Sequence, residues 1–191
     1  MKRNATGLVL AATLLVGGCM SIPGVEITSL PSGGQRITHQ AKKFSVDAPP
    51  SEWKLKSLEA KADVAWEKNP PGHYALLSIV SSQASPLPTQ ILSQQLVRSF
   101  QTAAQKEENF FRDVSLLDEA PVSLDGRDVT RVVMDAQCAC PGTAKFAMKL
   151  VGYILRAKEF DYAIVLITFP QHYQADTETV ERMLRSFSTL E

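Results

Sequence analysis

The run Tyr162-Ala163-Ile164-Val165-Leu166-Ile167-Thr168-Phe169 constrains the fold more than any other stretch. Its apolar side chains fall on both parities, so as a strand it has no face to give to water and must lie inside a sheet covered above and below. Pro170 ends it, because proline brings no amide hydrogen to a ladder. A second stretch of the same character is His73 to Ser81, where Tyr74, Leu76 and Val80 oppose Ala75, Leu77 and Ile79. Two helices are available as cover. Leu92, Leu96, Phe100 and Ala103 recur at helical spacing, widened by Val97 and Ala104, which predicts a helix within 88–107 with Pro88 in its first turn. Val180, Met183, Leu184 and Phe187 fall at i, i+3, i+4 and i+7. They predict a closing helix that opens near Asp176 or Thr177, whose side chains can accept an orphan amide hydrogen.

The other strands are shorter or one-sided. One passes through Phe44 and Val46 and stops at Pro49-Pro50, and Trp53 and Leu55 open the next. Ala60, Ala62, Val64 and Trp66 alternate with Lys61, Asp63 and Glu67, the pattern of a half-buried strand, and Asn69-Pro70-Pro71-Gly72 turns the chain. Phe110 to Leu117 reads as strand, and Asp125-Gly126 as a tight turn joining 121–124 to a strand over 127–136. After a loop over 137–143, a long hairpin turns near Lys158-Glu159. From Met20 to about Gly34, prolines and glycines with little apolar periodicity predict a flexible spacer.

The N-terminus supplies an address. Lys2 and Arg3 precede an apolar run from Leu8 to Val16, and Leu15-Val16-Gly17-Gly18-Cys19 closes it. That is the layout of a secretory signal, and the run is about half the roughly 20 residues a membrane span needs. It resembles the signal of bacterial lipoproteins, which implies a diacylglycerol on the Cys19 sulfur, cleavage before Cys19 and a fatty acyl group such as palmitate on the new amine. An ordinary secretory signal with a chance cysteine is the competing reading. The expected organisation is signal peptide 1–18, lipidated cysteine and tether 19–36, and one domain over 37–191. Met20 is not the aspartate that retains some lipoproteins in the inner membrane, so the expected place is the outer membrane, facing the periplasm. Removing 1–18 leaves 18 bases against 20 acids, which gives no electrostatic reason to seek nucleic acid.

Three cysteines are an odd number for an exported chain, and lipidation of Cys19 leaves Cys138 and Cys140 as a pair. Alpha carbons two apart in a strand are about 6.6 Å apart, the upper edge of disulfide reach, so a bridge needs the bend that Pro141-Gly142 can provide. A small disulfide pinning the loop, a free or metal-catching thiol pair, and a redox-active pair all remain open.

The rest of the sequence carries no catalytic or metal-binding motif. His39, His73 and His172 are far apart in sequence and none has zinc-type spacing, so no metal or cofactor is expected. Ser51-Glu52-Trp53-Lys54 matches the serine-x-x-lysine pattern of penicillin-recognising enzymes, but there the serine opens a helix and here it precedes a strand. Nucleotide and phosphate loops are missing. Trp53, Trp66, Phe110, Phe111, Tyr162 and Tyr173 read as core plugs rather than a ligand groove.

Two sets of landmarks, Phe44-Ser45-Val46-Asp47-Ala48-Pro49 with Trp53, and Tyr162-Ala163-Ile164-Val165-Leu166 with Met183-Leu184-Arg185-Ser186-Phe187, resemble the PsbP-like family across roughly 37–190. The resemblance implies an α+β fold, an antiparallel sheet flanked by helices on both faces as an α/β/α sandwich. Members include extrinsic photosystem subunits, a nuclear-transport accessory protein and bacterial lipoproteins, which implies binding or assembly and carries over no catalytic residue. The expected role is therefore a non-catalytic, lipid-anchored envelope protein whose partner is an envelope protein or small ligand. A thiol-disulfide or metal-handling protein using Cys138 and Cys140 is the alternative.

Overall fold

The computed structural model describes residues 22–56, 62–106, 111–138 and 145–190. The signal, Cys19, Cys140, Pro141, Gly142 and Phe110 lie outside the described residues. Among the described residues, eleven strands form two antiparallel sheets, accompanied by two α-helices.

The larger sheet contains β4 (Lys54–Lys56), β5 (Val64–Lys68), β6 (Ala75–Gln83), β7 (Phe111–Leu124), β8 (Arg127–Cys138), β9 (Phe146–Arg156) and β10 (Phe160–Thr168). Their order is β4-β5-β6-β10-β9-β8-β7. The doubly apolar strand β10 is thus the middle one, with β6 beside it, as their patterns require. Alternation splits β10 between two cores. Tyr162, Ile164 and Leu166 face one, and Val165 and Ile167 the other.

Helix α1 (Thr89–Ala104) covers the second face with Leu96, Val97 and Phe100 against Met134, Leu150 and Val165. Gly152 in β9 lets it come close, since a Cβ there would overlap Leu96 Cδ2. The first face is shared. Val180, Met183 and Leu184 of helix α2 (Tyr173–Ser186), with Phe187 just past its end, lie there beside Ile37, Phe44 and Val46 of a second sheet. That sheet has the order β1-β2-β3-β11, with β1 (Val25–Ser29), β2 (Gln35–His39), β3 (Phe44–Asp47) and β11 (Ser188–Thr189). The expected helices-on-both-faces sandwich therefore holds in part: a helix lies on each face, but strands share the cover on the α2 side.

The second sheet also corrects the spacer. Within 19–36, β1 pairs residue by residue with β2 from Val25↔His39 to Ser29↔Gln35, so the fold begins before residue 37. The breakers Pro31, Gly33 and Gly34 form a hairpin turn, in which Gly33 has φ +88° and its amide donates to Leu30 O. Its strands carry polar residues because β1 is an edge with four exposed positions.

Two further boundaries differ. The pieces read separately as 110–117 and 121–124 share one strand from Phe111 onward, β7, whose register against β8 slips between Arg112 and Ser115 and again between Leu116 and Asp118. Pro121 is tolerated because β7 is the sheet's outer strand. The turn Asp125-Gly126 has φ of 51° and 77°, the left-handed pair a two-residue hairpin demands. Helix α2 opens three residues before Asp176, after a 3-10 turn over Pro170–His172.

Candidate functional site

Register defines two poles of the large sheet. Phe160 pairs with Gln83 at one end of β10 and Thr168 with Ala75 at the other, about 27 Å apart at strand rise. Each pole holds a polar cluster.

At the Thr168 pole, Asp176 is wholly buried. As a residue of the first turns of α2 it lies on the same stripe as Val180 and Leu184, so the packing that buries those two buries its carboxylate as well. Thr168 Oγ1 donates to Asp176 Oδ2 at 2.5 Å, and His73 Nε2 lies 2.7 Å from the same oxygen. Lys68 Nζ stands 3.5 Å from Oδ1. An ionised carboxylate only accepts, so Nε2 carries the proton and the His73 tautomer is fixed. The His172 ring stacks on His73 with centroids 3.7 Å apart and 8° between planes, and its Nε2 is 3.2 Å from Gly72 O. Lys68 also lies over the Trp53 ring at 5.7 Å and 4.0 Å from Glu52. Two histidines distant in sequence thus meet, because β6 and β10 are neighbours whose ends are in register. The pair Asp176–His73 has the form of an oriented base. Among the described residues, however, the His73 ring makes its hydrogen bond to Asp176 and to no hydroxyl or thiol. What the cluster does chemically is hold together the end of β10, the start of α2 and the β5–β6 turn.

Cys138 ends β8 at this same pole, opposite Phe111 and Phe146, and is buried and disulfide-bonded. The partner sulfur lies outside the described residues.

At the Phe160 pole, a cavity of about 200 Å³ is lined by Ile22, Pro23, His39, Lys56, Asp63 and Val64, among others. Burial holds the His39 imidazole below its ordinary 6.5, with Asp63 pulling the other way and Lys42 adding to the depression. His39 Nδ1 is buried without a partner. Asp63 Oδ2 accepts the Ser81 amide at 2.5 Å and Asp63 Oδ1 lies 3.6 Å from Lys42. Tyr162 donates to Lys42 O and Lys43 O at 2.8 and 3.1 Å, and burial, helped by Asp63 and Glu159, pushes its phenol up to about 12.

The remaining expected features are easily placed. Lys54 Nζ donates to Ser51 O, a backbone contact in an exposed turn rather than a nucleophile's base. Trp53, Trp66, Phe111 and Tyr162 are buried and Tyr173 packs against the core, as core plugs should. Among the described residues, no three His, Cys, Asp or Glu side chains converge as a metal would need, and no helix is long and apolar enough to cross a membrane. The Asp176 cluster was missed from sequence, yet it left a signal, a carboxylate one helical turn before Val180 on an otherwise apolar stripe.

No protein-family model matches the sequence, and no curated protein matches it. Solved structures do. Cyanobacterial PsbP (CyanoP) from Synechocystis sp. PCC 6803 is similar with a TM-score of 0.60 and 11% identity, over 92% of this chain and 98% of that one. The Ran-binding protein Mog1p of Saccharomyces cerevisiae is similar with a TM-score of 0.56 and 9% identity, over 83% of this chain and 96% of that one. Identities this low speak of architecture, and the architecture of this chain is PsbP-like.

Proposed function

We propose that the chain is a lipid-anchored cell-envelope protein that works by binding, as an accessory to an envelope assembly or a holder of a small ligand, and not by catalysis. The observation that carries this reading is Leu15-Val16-Gly17-Gly18-Cys19, placed six residues before the first strand. The cysteine arithmetic supports it. Cys138 is disulfide-bonded, and only Cys140 and Cys19 could be its partner. Cys19 lies three residues from Ile22, a reach of about 11 Å at full extension, while Ile22 and Cys138 belong to opposite poles. That distance favours Cys140 as the partner and leaves Cys19 as the thiol for lipid. A persistent disulfide also suits an oxidising compartment outside the cytoplasm.

The burial of Cys138 favours a structural bridge over the alternative of a thiol-disulfide or metal-handling role, since reactive thiols sit in partly exposed, electropositive surroundings. The proposed place is the outer membrane, with the domain in the periplasm.

The test is Cys19→Ser with palmitate labelling and envelope fractionation. The parent should carry label and partition with detergent, and the serine variant should lose the label and be released as soluble periplasmic protein. A serine variant as firmly membrane-bound as the parent would sink the reading. Crosslinking of the anchored parent, followed by mass spectrometry, then identifies what it binds.

A further inference from the structure

We infer that the protein has a fixed membrane-facing pole, the one bearing Ile22, Lys42, Lys43 and Lys158, which rests on the phospholipid leaflet and turns the Asp176 pole outward. This rests on the lipidation proposed above and goes beyond it, because an anchor alone does not orient a domain.

The reason is the length of chain between anchor and fold. Ile22 already lines a cavity against His39, Asp63 and Val64, and β1 starts at Val25 in full register with β2. Three residues from Cys19 to Ile22 span at most about 11 Å, whereas a domain of some 170 residues has a radius of gyration of roughly 15 Å. A tether shorter than the body's radius cannot let the far end swing down to the bilayer. Contacts at the near pole fix which surface is held there. Lys42 is 3.6 Å from Asp63, and Lys43 forms a 2.6 Å ion pair with Glu159, beside Lys158 in the β9–β10 turn. Lys42 and Lys43 are thereby each paired with an acid, so tether length rather than charge sets the orientation, and zwitterionic lipid should serve as well as anionic.

The experiment uses the lipidated full chain in vesicles of phosphatidylethanolamine and phosphatidylglycerol, and in a second set of phosphatidylcholine alone. A fluorophore is attached at Lys158→Cys or Gln174→Cys, both exposed positions, one at each pole. Quenching by a headgroup nitroxide lipid is then read. Quenching at 158 should exceed that at 174 by about threefold or more in both vesicle sets, given poles some 27 Å apart. Inserting fifteen glycine and serine residues after Ser21 should bring the ratio close to one while the protein still floats with the vesicles. Equal quenching at both positions in the floating parent overturns the orientation and leaves the anchor standing. A difference seen only with phosphatidylglycerol shows that charge rather than tether length sets the pose, and overturns the argument too. A parent that does not float overturns the lipidation and this inference with it.

Discussion

Replacing Asp176 by alanine tests the reading of the buried cluster most directly. Thr168 and Asp176 have no solvent exposure, and the His73 side chain only 11%. Deleting the carboxylate leaves the Thr168 hydroxyl and the His73 Nε2–H without an acceptor, at about 1–3 kcal/mol for each buried orphan. Lys68 adds little, because its ammonium is part-exposed and already near Glu52 at 4.0 Å. The sum is about 2–6 kcal/mol, and within it lies the roughly 3–5 kcal/mol usual for removing one partner from a buried charged pair. For a chain of this size that corresponds to a fall in Tm of roughly 6–20 °C. Asp176→Asn keeps the shape and one acceptor oxygen, so it should lose about 1–2 kcal/mol. Urea and thermal denaturation followed by far-ultraviolet circular dichroism at neutral pH would measure both. If Asp176→Ala stays within about 1 kcal/mol of the parent, the cluster does not clamp the pole and the hydrogen-bond reasoning fails.

Gly152→Ala should destabilise by about 1–2 kcal/mol in urea denaturation, because the added methyl collides with buried Leu96, and most of that cost should vanish in a Leu96→Ala background. Stability should also fall with acid through His39. Its folded value is depressed, so the unfolded chain binds the extra proton first, and the folded state loses ground as pH drops below about 6.5. A pH series of urea midpoints from 7.5 to 5, flatter in His39→Gln than in the parent, would show it.

Much of the fold was legible because long apolar segments carry their own geometry. The parity pattern of Tyr162–Phe169 placed β10 at the centre of the sheet, the stripe Leu96, Phe100 and Ala103 marked α1, and Asp125-Gly126 announced its turn. What stayed hidden depended on partners remote in sequence. The β1–β2 hairpin is polar on its open side, so nothing periodic separated it from a linker until Ile37 was seen beneath Phe44 and Phe187. Bulges at Asp113 and Leu117 broke the alternation of β7 and made one strand look like two. The residue type of Asp176 suggests a helix cap, whereas its place on the Val180–Leu184 stripe decides its burial. His73 and His172 meet across 99 positions of chain, and no local pattern encodes that.

The doubly slipped outer strand has a bearing on self-association. Fourteen residues of open ladder, with Leu116 and Leu117 in the light, would ordinarily template copy upon copy wherever molecules crowd on a surface. The left-handed kink at Asp113 and the missing amide hydrogen of Pro121 break that template into lengths too short and too twisted to zip. Straightening this rim by deleting one residue at each slip would turn a companionable surface molecule into a seed for fibres.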